Sequence, residues 1–276
     1  MAGFFGLFNY EKEGPGVHKD APKKKTVAVF FEVFFGNFWR LVPINLFYLL
    51  LSLPILTGGL ASAGITRVTR SLARRKHSFG ISDFLDTVRK NWKQALGLGI
   101  LRLLSFAVLG FSFWFYAFRT EGMLGTLGAG VSLFLLFVFS VMDFYAFTLL
   151  ITFRFTVKQI LGNSFRFVFL NLWRNLLCAV VLLLTGALFV VIPFLYPHPL
   201  VIFFAAVLYA CVFPGFRYML VQFCTFPSIK KFIIDPYYKE HPGEDTELRR
   251  DLGLETEEPD DGAADEDDPD APVFKD

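Results

Sequence analysis

Signatures of catalysis are missing from this sequence. It has no G-x-S-x-G elbow, no Walker loop, no H-E-x-x-H helix and no C-x-x-C pair, which removes the usual residue patterns for acyl transfer, nucleotide hydrolysis, zinc hydrolysis and dithiol chemistry. Histidine is scarce: His18, His77, His198 and His241 lie in four separate linkers without the i,i+4 pairing of a helical metal site. The three cysteines, Cys178, Cys211 and Cys224, are odd in number and sit in or beside apolar stretches, so they read as small buried hydrophobes. Gly97-x-Gly99 and Gly125-x-x-Gly128-x-Gly130 follow no strand, so they read as packing glycines and not as a nucleotide loop. The expectation is a chain that is not an enzyme and holds no cofactor or metal. A secretory signal is also lacking, because 1–25 is broken by Glu11, Glu13, Gly14, Pro15 and Gly16, and Ala2 replaces the glycine that myristoylation needs. Insertion is therefore expected to rely on the first true span.

Charge is sparse as well, at 19% of 276 residues, whereas aromatic residues make 18% and Phe alone occurs 36 times. Such a composition departs from that of soluble domains. The net charge of +2 hides a division: 1–239 carries 24 Lys+Arg against 9 Asp+Glu, and 240–276 carries 3 against 16. The uncharged stretches of the basic body are long enough to cross a lipid core about 30 Å thick.

Read along the chain, a polar leader (1–25) gives way to a membrane domain (26–229) and then to an acidic segment (230–276) expected to be disordered and cytoplasmic. Val27–Trp39, rich in Phe and preceded by Lys23-Lys24-Lys25, suits a lipid surface bearing anionic head groups. Spans are expected at about 41–57, 95–118, 124–153, 176–196 and 200–224, with a short or re-entrant return at 60–74 after a turn at Gly58-Gly59. Ser82 is placed to cap an interfacial helix with Phe84, Leu85, Val88 and Trp92 on one face, and 154–174 repeats that amphipathic theme. The fold class is all-α: a polytopic membrane helical bundle of five to six transmembrane helices with interfacial amphipathic helices.

A weak repeat bears on topology. Asn37-Phe38-Trp39-Arg40, Asn91-Trp92-Lys93 and Asn171-Leu172-Trp173-Arg174 each precede an apolar run. Trp39, Arg40, Trp92, Lys93, Trp173 and Arg174 read as interface anchors, an aromatic ring beside a snorkelling cation, marking entry from one side each time. With six crossings, 20 flanking cations lie on the cytoplasmic side against Arg119 outside; with five, the division is 15 to 6. The six-crossing arrangement fits the positive-inside tendency better and puts Gly58-Gly59 outside and 78–80 inside.

Three ionisable residues stand within spans. Arg102, Asp143 and Arg217 lie at similar depth, about 15–20 Å of helix from their basic flanks. Either Asp143 pairs with an arginine and fixes the bundle or lines a polar cavity, or both arginines snorkel to lipid phosphates and Asp143 finds a local hydroxyl. The basic loops flank membrane anchors, so topology explains them without nucleic acid. The acidic segment could dock on a basic partner or on these loops.

The leader 1–17 (Met1-Ala2-Gly3-Phe4-Phe5-Gly6-Leu7-Phe8-Asn9-Tyr10 onward to Val17) with Asp20-Ala21-Pro22-Lys23-Lys24-Lys25, the stretch 59–74, Ser82-Asp83-Phe84 and Lys90-Asn91-Trp92-Lys93-Gln94 resemble YesL-like bacterial membrane proteins, a family filed as a domain of unknown function. The resemblance covers most of 1–239. Where many members have Pro-Ala-Thr-Ala-Gly this chain has Leu60-Ala61-Ser62-Ala63-Gly64, and Arg75 and Lys76 stand where relatives often carry acids. The resemblance implies a Gram-positive cell membrane and, from the transporters and polysaccharide-degrading enzymes its genes neighbour, an accessory role beside sugar-transporter permease subunits. It supplies no catalytic residues. A small transporter or channel with a polar cavity near Arg102, Asp143 and Arg217 is the alternative.

Overall fold

In a computed structural model, residues 26–76 and 78–240 are described, the last three by backbone alone. The leader 1–25 and most of the acidic segment lie outside them. The described chain is helical throughout: α1 (Thr26–Gly36), α2 (Phe38–Ser52), α3 (Gly58–Ala73), α4 (Ile81–Phe118), α5 (Gly122–Thr152), α6 (Val157–Leu170), α7 (Leu172–Leu195) and α8 (Pro199–Ile229), which continues through a π-turn into a short α9 (Asp235–Glu240). Four of these, α4, α5, α7 and α8, are long and apolar enough to cross a membrane, and a fifth span is available if α1 and α2, bent by 76°, count as one. The protein is thus a multi-pass helical membrane protein.

The repeated Asn-Trp motif marks joints. Asn37 (φ −114°, ψ 13°) separates α1 from α2, Asn91 (φ −117°, ψ 16°) breaks α4, and Asn171 (φ −134°, ψ 46°) separates α6 from α7. The second and third breaks turn an amphipathic helix into an apolar one, whereas at the first both helices are apolar. The carbonyls that a break frees need donors. Asn37 Nδ2 donates to the Val33 carbonyl at 2.9 Å and Asn91 Nδ2 to that of Thr87 at 3.2 Å. At the third joint the donor is Asn175, whose Nδ2 reaches the carbonyls of Phe167 and Val168. Trp39, Trp92 and Trp173 are all exposed, as side chains at a lipid interface should be.

Capping departs from the sequence expectation at α4. Ser82 lies inside the helix, and the entry is instead folded around Asp83, whose Oδ2 accepts from Ser78 Oγ at 2.8 Å and from the Phe79 N–H at 2.9 Å. Gly80 enters at φ +62°, a backbone that L-residues avoid. Phe84 is fully buried on Gly64, while Leu85 and Trp92 are exposed, so the buried face is narrower than expected. Near the N-terminus Phe30, Val33 and Phe34 are buried, with Phe30 and Phe34 set edge-on to Phe216 of α8, so that of the α1 phenylalanines Phe31 and Phe35 alone face outward, beside the exposed Val27.

The α2–α3 hairpin also differs from its expected form. Gly58 and Gly59 are not the turn; they open α3, and the turn is Leu53–Thr57, held by the Thr57 hydroxyl donating to the carbonyls of Leu51 and Pro54. Glycine is required at 59 for another reason: a Cβ there would stand 2.6 Å from the Gly99 Cα, so α3 and α4 touch backbone to backbone. The hairpin tip is therefore level with Gly99, whereas α4 runs on to Phe118, about 28 Å further at 1.5 Å per residue. The tip residues Leu53, Ile55 and Leu56 are exposed and apolar, as suits a turn bathed in hydrocarbon and not in water. α3 itself is surrounded by α2, α4, α5 and α8. It tolerates Ser62, Thr66 and Thr69 inside the bundle because each hydroxyl donates to the carbonyl four residues back.

Candidate functional site

Arg102, Asp143 and Arg217 come together. Asp143, on the inward face of α5, lies between α4 and α8, with Arg102 Nη1 at 3.5 Å from its Oδ1 and Arg217 Nη2 at 3.2 Å from its Oδ2. Of the three side chains Asp143 is the most enclosed, at 8% exposure against 21% and 32% for the arginines. Two guanidinium groups around one carboxylate leave a local charge of +1. The second sequence alternative, snorkelling arginines and an Asp143 bonded to a local hydroxyl, is not the arrangement found.

The cluster extends to α3. Arg102 Nη1 donates to Ser62 Oγ at 2.9 Å, Tyr218 donates its hydroxyl to the same oxygen at 2.6 Å, and Ser62 donates to the Gly58 carbonyl at 2.8 Å. A serine hydroxyl has one donor and two acceptor positions, and here all three are used. Tyr48 of α2 packs edge-on to Tyr218 with ring centroids 5.5 Å apart. Arg102 also lies 5.2 Å above the Phe147 ring, and Arg217 5.3 Å above that of Tyr218. A Cβ on Gly58 would come within 3.3 Å of Arg102 Nη2. The polar centre thus joins α3, α4, α5 and α8 at the inner tip of the half-length hairpin.

Two smaller polar contacts flank it. Gln222 donates to Thr148 Oγ1 at 2.9 Å, and Asn45 of α2 donates to the Cys211 carbonyl at 2.6 Å beside Pro214. A cavity of about 670 Å³ opens on one side of the centre, lined by Asp143, Arg217 and Ser140 and otherwise by apolar side chains of α4, α5, α7 and α8. Among the described residues, no group of three or more His, Cys, Asp or Glu stands close enough together to hold a metal ion.

Most of the remaining cations gather at one end. Arg70 donates to the Ile151 carbonyl at 3.1 Å and to Thr152 Oγ1 at 2.9 Å, Arg74 stacks 4.0 Å above the Phe226 ring, and Gln94 donates to the Phe155 carbonyl at 3.2 Å. These contacts place the ends of α3, α5 and α8 together with the break of α4. Burial, with repulsion from Arg67 added, pulls the Arg74 guanidinium down to about 10. The anchors Arg40, Lys93 and Arg174 follow the Asn joints at this end, Lys93 with its ammonium 5.5 Å from the Trp92 ring. Arg119, after α4, stands at the other. Ser62, Tyr218 and Tyr48 escaped the sequence reading. A serine among small residues and tyrosines in aromatic-rich helices carry no mark of their partners.

Residues 41–113 match the family described as "Protein of unknown function, DUF624". That segment runs from α2 through the hairpin and the α4 break to beyond Arg102, so it includes Ser62 and Arg102 but not Asp143 or Arg217. No curated protein and no solved structure matches the chain.

Proposed function

We propose that this protein is a non-enzymatic accessory or assembly subunit of a carbohydrate uptake system in the cell membrane of a Gram-positive bacterium, working beside a permease of the ABC type. The observation that carries the non-catalytic part is the use of the central polar groups: Asp143 holds two arginines, and Ser62 spends every hydrogen-bonding position on neighbours within the bundle. Groups so engaged fasten helices and leave no free nucleophile or base. The carbohydrate link rests on the resemblance to YesL-like proteins, with which the family match at 41–113 is consistent. The basic end is assigned to the cytoplasm by the positive-inside tendency, and with it the segment after α8.

A second reading, a small transporter in its own right, draws on the cavity of about 670 Å³ that Asp143 and Arg217 line. Helix ends at mid-membrane depth beside charged groups are a feature of transporter binding sites. One pair of measurements separates the two readings. Native pull-down of the full chain from membranes should return permease subunits, while liposomes containing the purified chain alone should show no sugar flux above empty vesicles. Flux that disappears in Asp143→Asn, with no permease in the pull-down, would reverse the order.

A further inference from the structure

We propose that the pocket at the α4 break is a binding site for the phosphate of an anionic phospholipid. The pocket, of about 520 Å³, lies between the break and the α5–α6 connection and is lined by Arg89, Lys90, Lys93 and Arg154 together with Trp92 and Gln94. No acidic residue lines it, and none of the four cations is ion-paired among the described residues. Four like charges around one concavity repel each other, and an anion placed among them relieves that repulsion.

Depth selects the lipid over a free anion. α4 turns from an amphipathic to an apolar helix at Asn91, and α5 ends at Thr152, so both walls of the pocket are where helices leave the hydrocarbon. Gln94 closes the back by donating to the Phe155 carbonyl. Thr156, the N-cap of the 14-residue α6, stands at the rim and brings the positive end of that helix dipole to the same place. Trp92 is exposed beside the pocket, and below it α4 presents Ile100 and Leu104 outward, a surface on which acyl chains can lie. Basic pockets between helices at the membrane boundary are suited to phospholipid head groups.

The inference stands apart from the transport reading and is tested without it. The full chain is purified in zwitterionic detergent and titrated with phosphatidylglycerol or phosphatidylcholine, with retained lipid read by native mass spectrometry. Phosphatidylglycerol should bind at least tenfold more tightly than phosphatidylcholine, and the double variant Lys93→Gln/Arg154→Gln should lose about tenfold or more of that affinity. Arg166→Gln, which removes a cation outside the pocket, should leave it within twofold, and millimolar inorganic phosphate should not displace the lipid. Equal losses in the double variant and in Arg166→Gln, or displacement by inorganic phosphate, would overturn the proposal. So would a carbodiimide cross-link from Lys93 to a carboxylate within 240–276 that survives saturating phosphatidylglycerol, because the chain's own acidic segment would then occupy the pocket.

Discussion

Ser62 illustrates how a small side chain can hold a membrane bundle together. Its oxygen receives Arg102 and Tyr218 and returns a hydrogen bond to Gly58, linking three helices through one atom. Ser62→Ala removes the acceptor and leaves two buried donors short of a partner, which costs about 1–3 kcal/mol. The purified variant should therefore unfold at lower temperature than wild type, and unchanged thermal unfolding would show that the donors find other acceptors. Asp143, Arg102 and Arg217 were legible in the sequence because ionisable groups in apolar runs stand out and share a depth. Their serine and tyrosine partners were not, since hydrogen bonds between distant segments leave no local pattern. The three joints fall between these cases: the Asn-Trp repeat was visible and its tryptophans read as anchors, but the asparagines as helix breaks needed backbone geometry.

At the scale of elements the α2–α3 hairpin is the most informative part. A full crossing at this point satisfied the count of flanking charges, while the short length of 60–74 and Leu60 in place of the proline that many family members carry stood against it. We infer the re-entrant form, because Gly59 meets Gly99 well short of the far end of α4 and the turn itself is apolar. On this reading the hairpin enters and leaves at the basic end, and its helices of 15 and 16 residues are about 22–24 Å long against a lipid core of about 30 Å. A single cysteine at Ile55, in a background lacking the native cysteines, should resist membrane-impermeant maleimide from both sides of sealed vesicles. Cysteine at Glu121 should react from the side opposite the basic end. Labelling of the Ile55 cysteine from the Glu121 side would restore a full crossing. The long spans were readable from hydropathy, because lipid imposes apolar runs on α4 beyond its break and on α5, α7 and α8, with Arg102, Asp143 and Arg217 as the exceptions. α3 was harder to read because a helix shielded by protein need not be apolar.

On the scale of the whole molecule, the excess of cations over acids in 1–239 resolves into an end, a centre and a pocket. Most cations orient the bundle and gather where helices leave the lipid, two are spent on Asp143, and four surround the α4 break. In the sequence sum, the 16 carboxylates of 240–276 almost cancel the charge of the body. The central claim is that the Arg102–Asp143–Arg217 cluster fastens the spanning helices α4, α5 and α8 to one another at the inner tip of the hairpin. A double-mutant cycle of Asp143→Asn and Arg217→Leu, read by thermal unfolding of the full chain in lipid nanodiscs, tests that claim directly. The account predicts a coupling energy of about 1–3 kcal/mol between the two sites, because either change alone breaks the same ion pair. Strictly additive losses would contradict it.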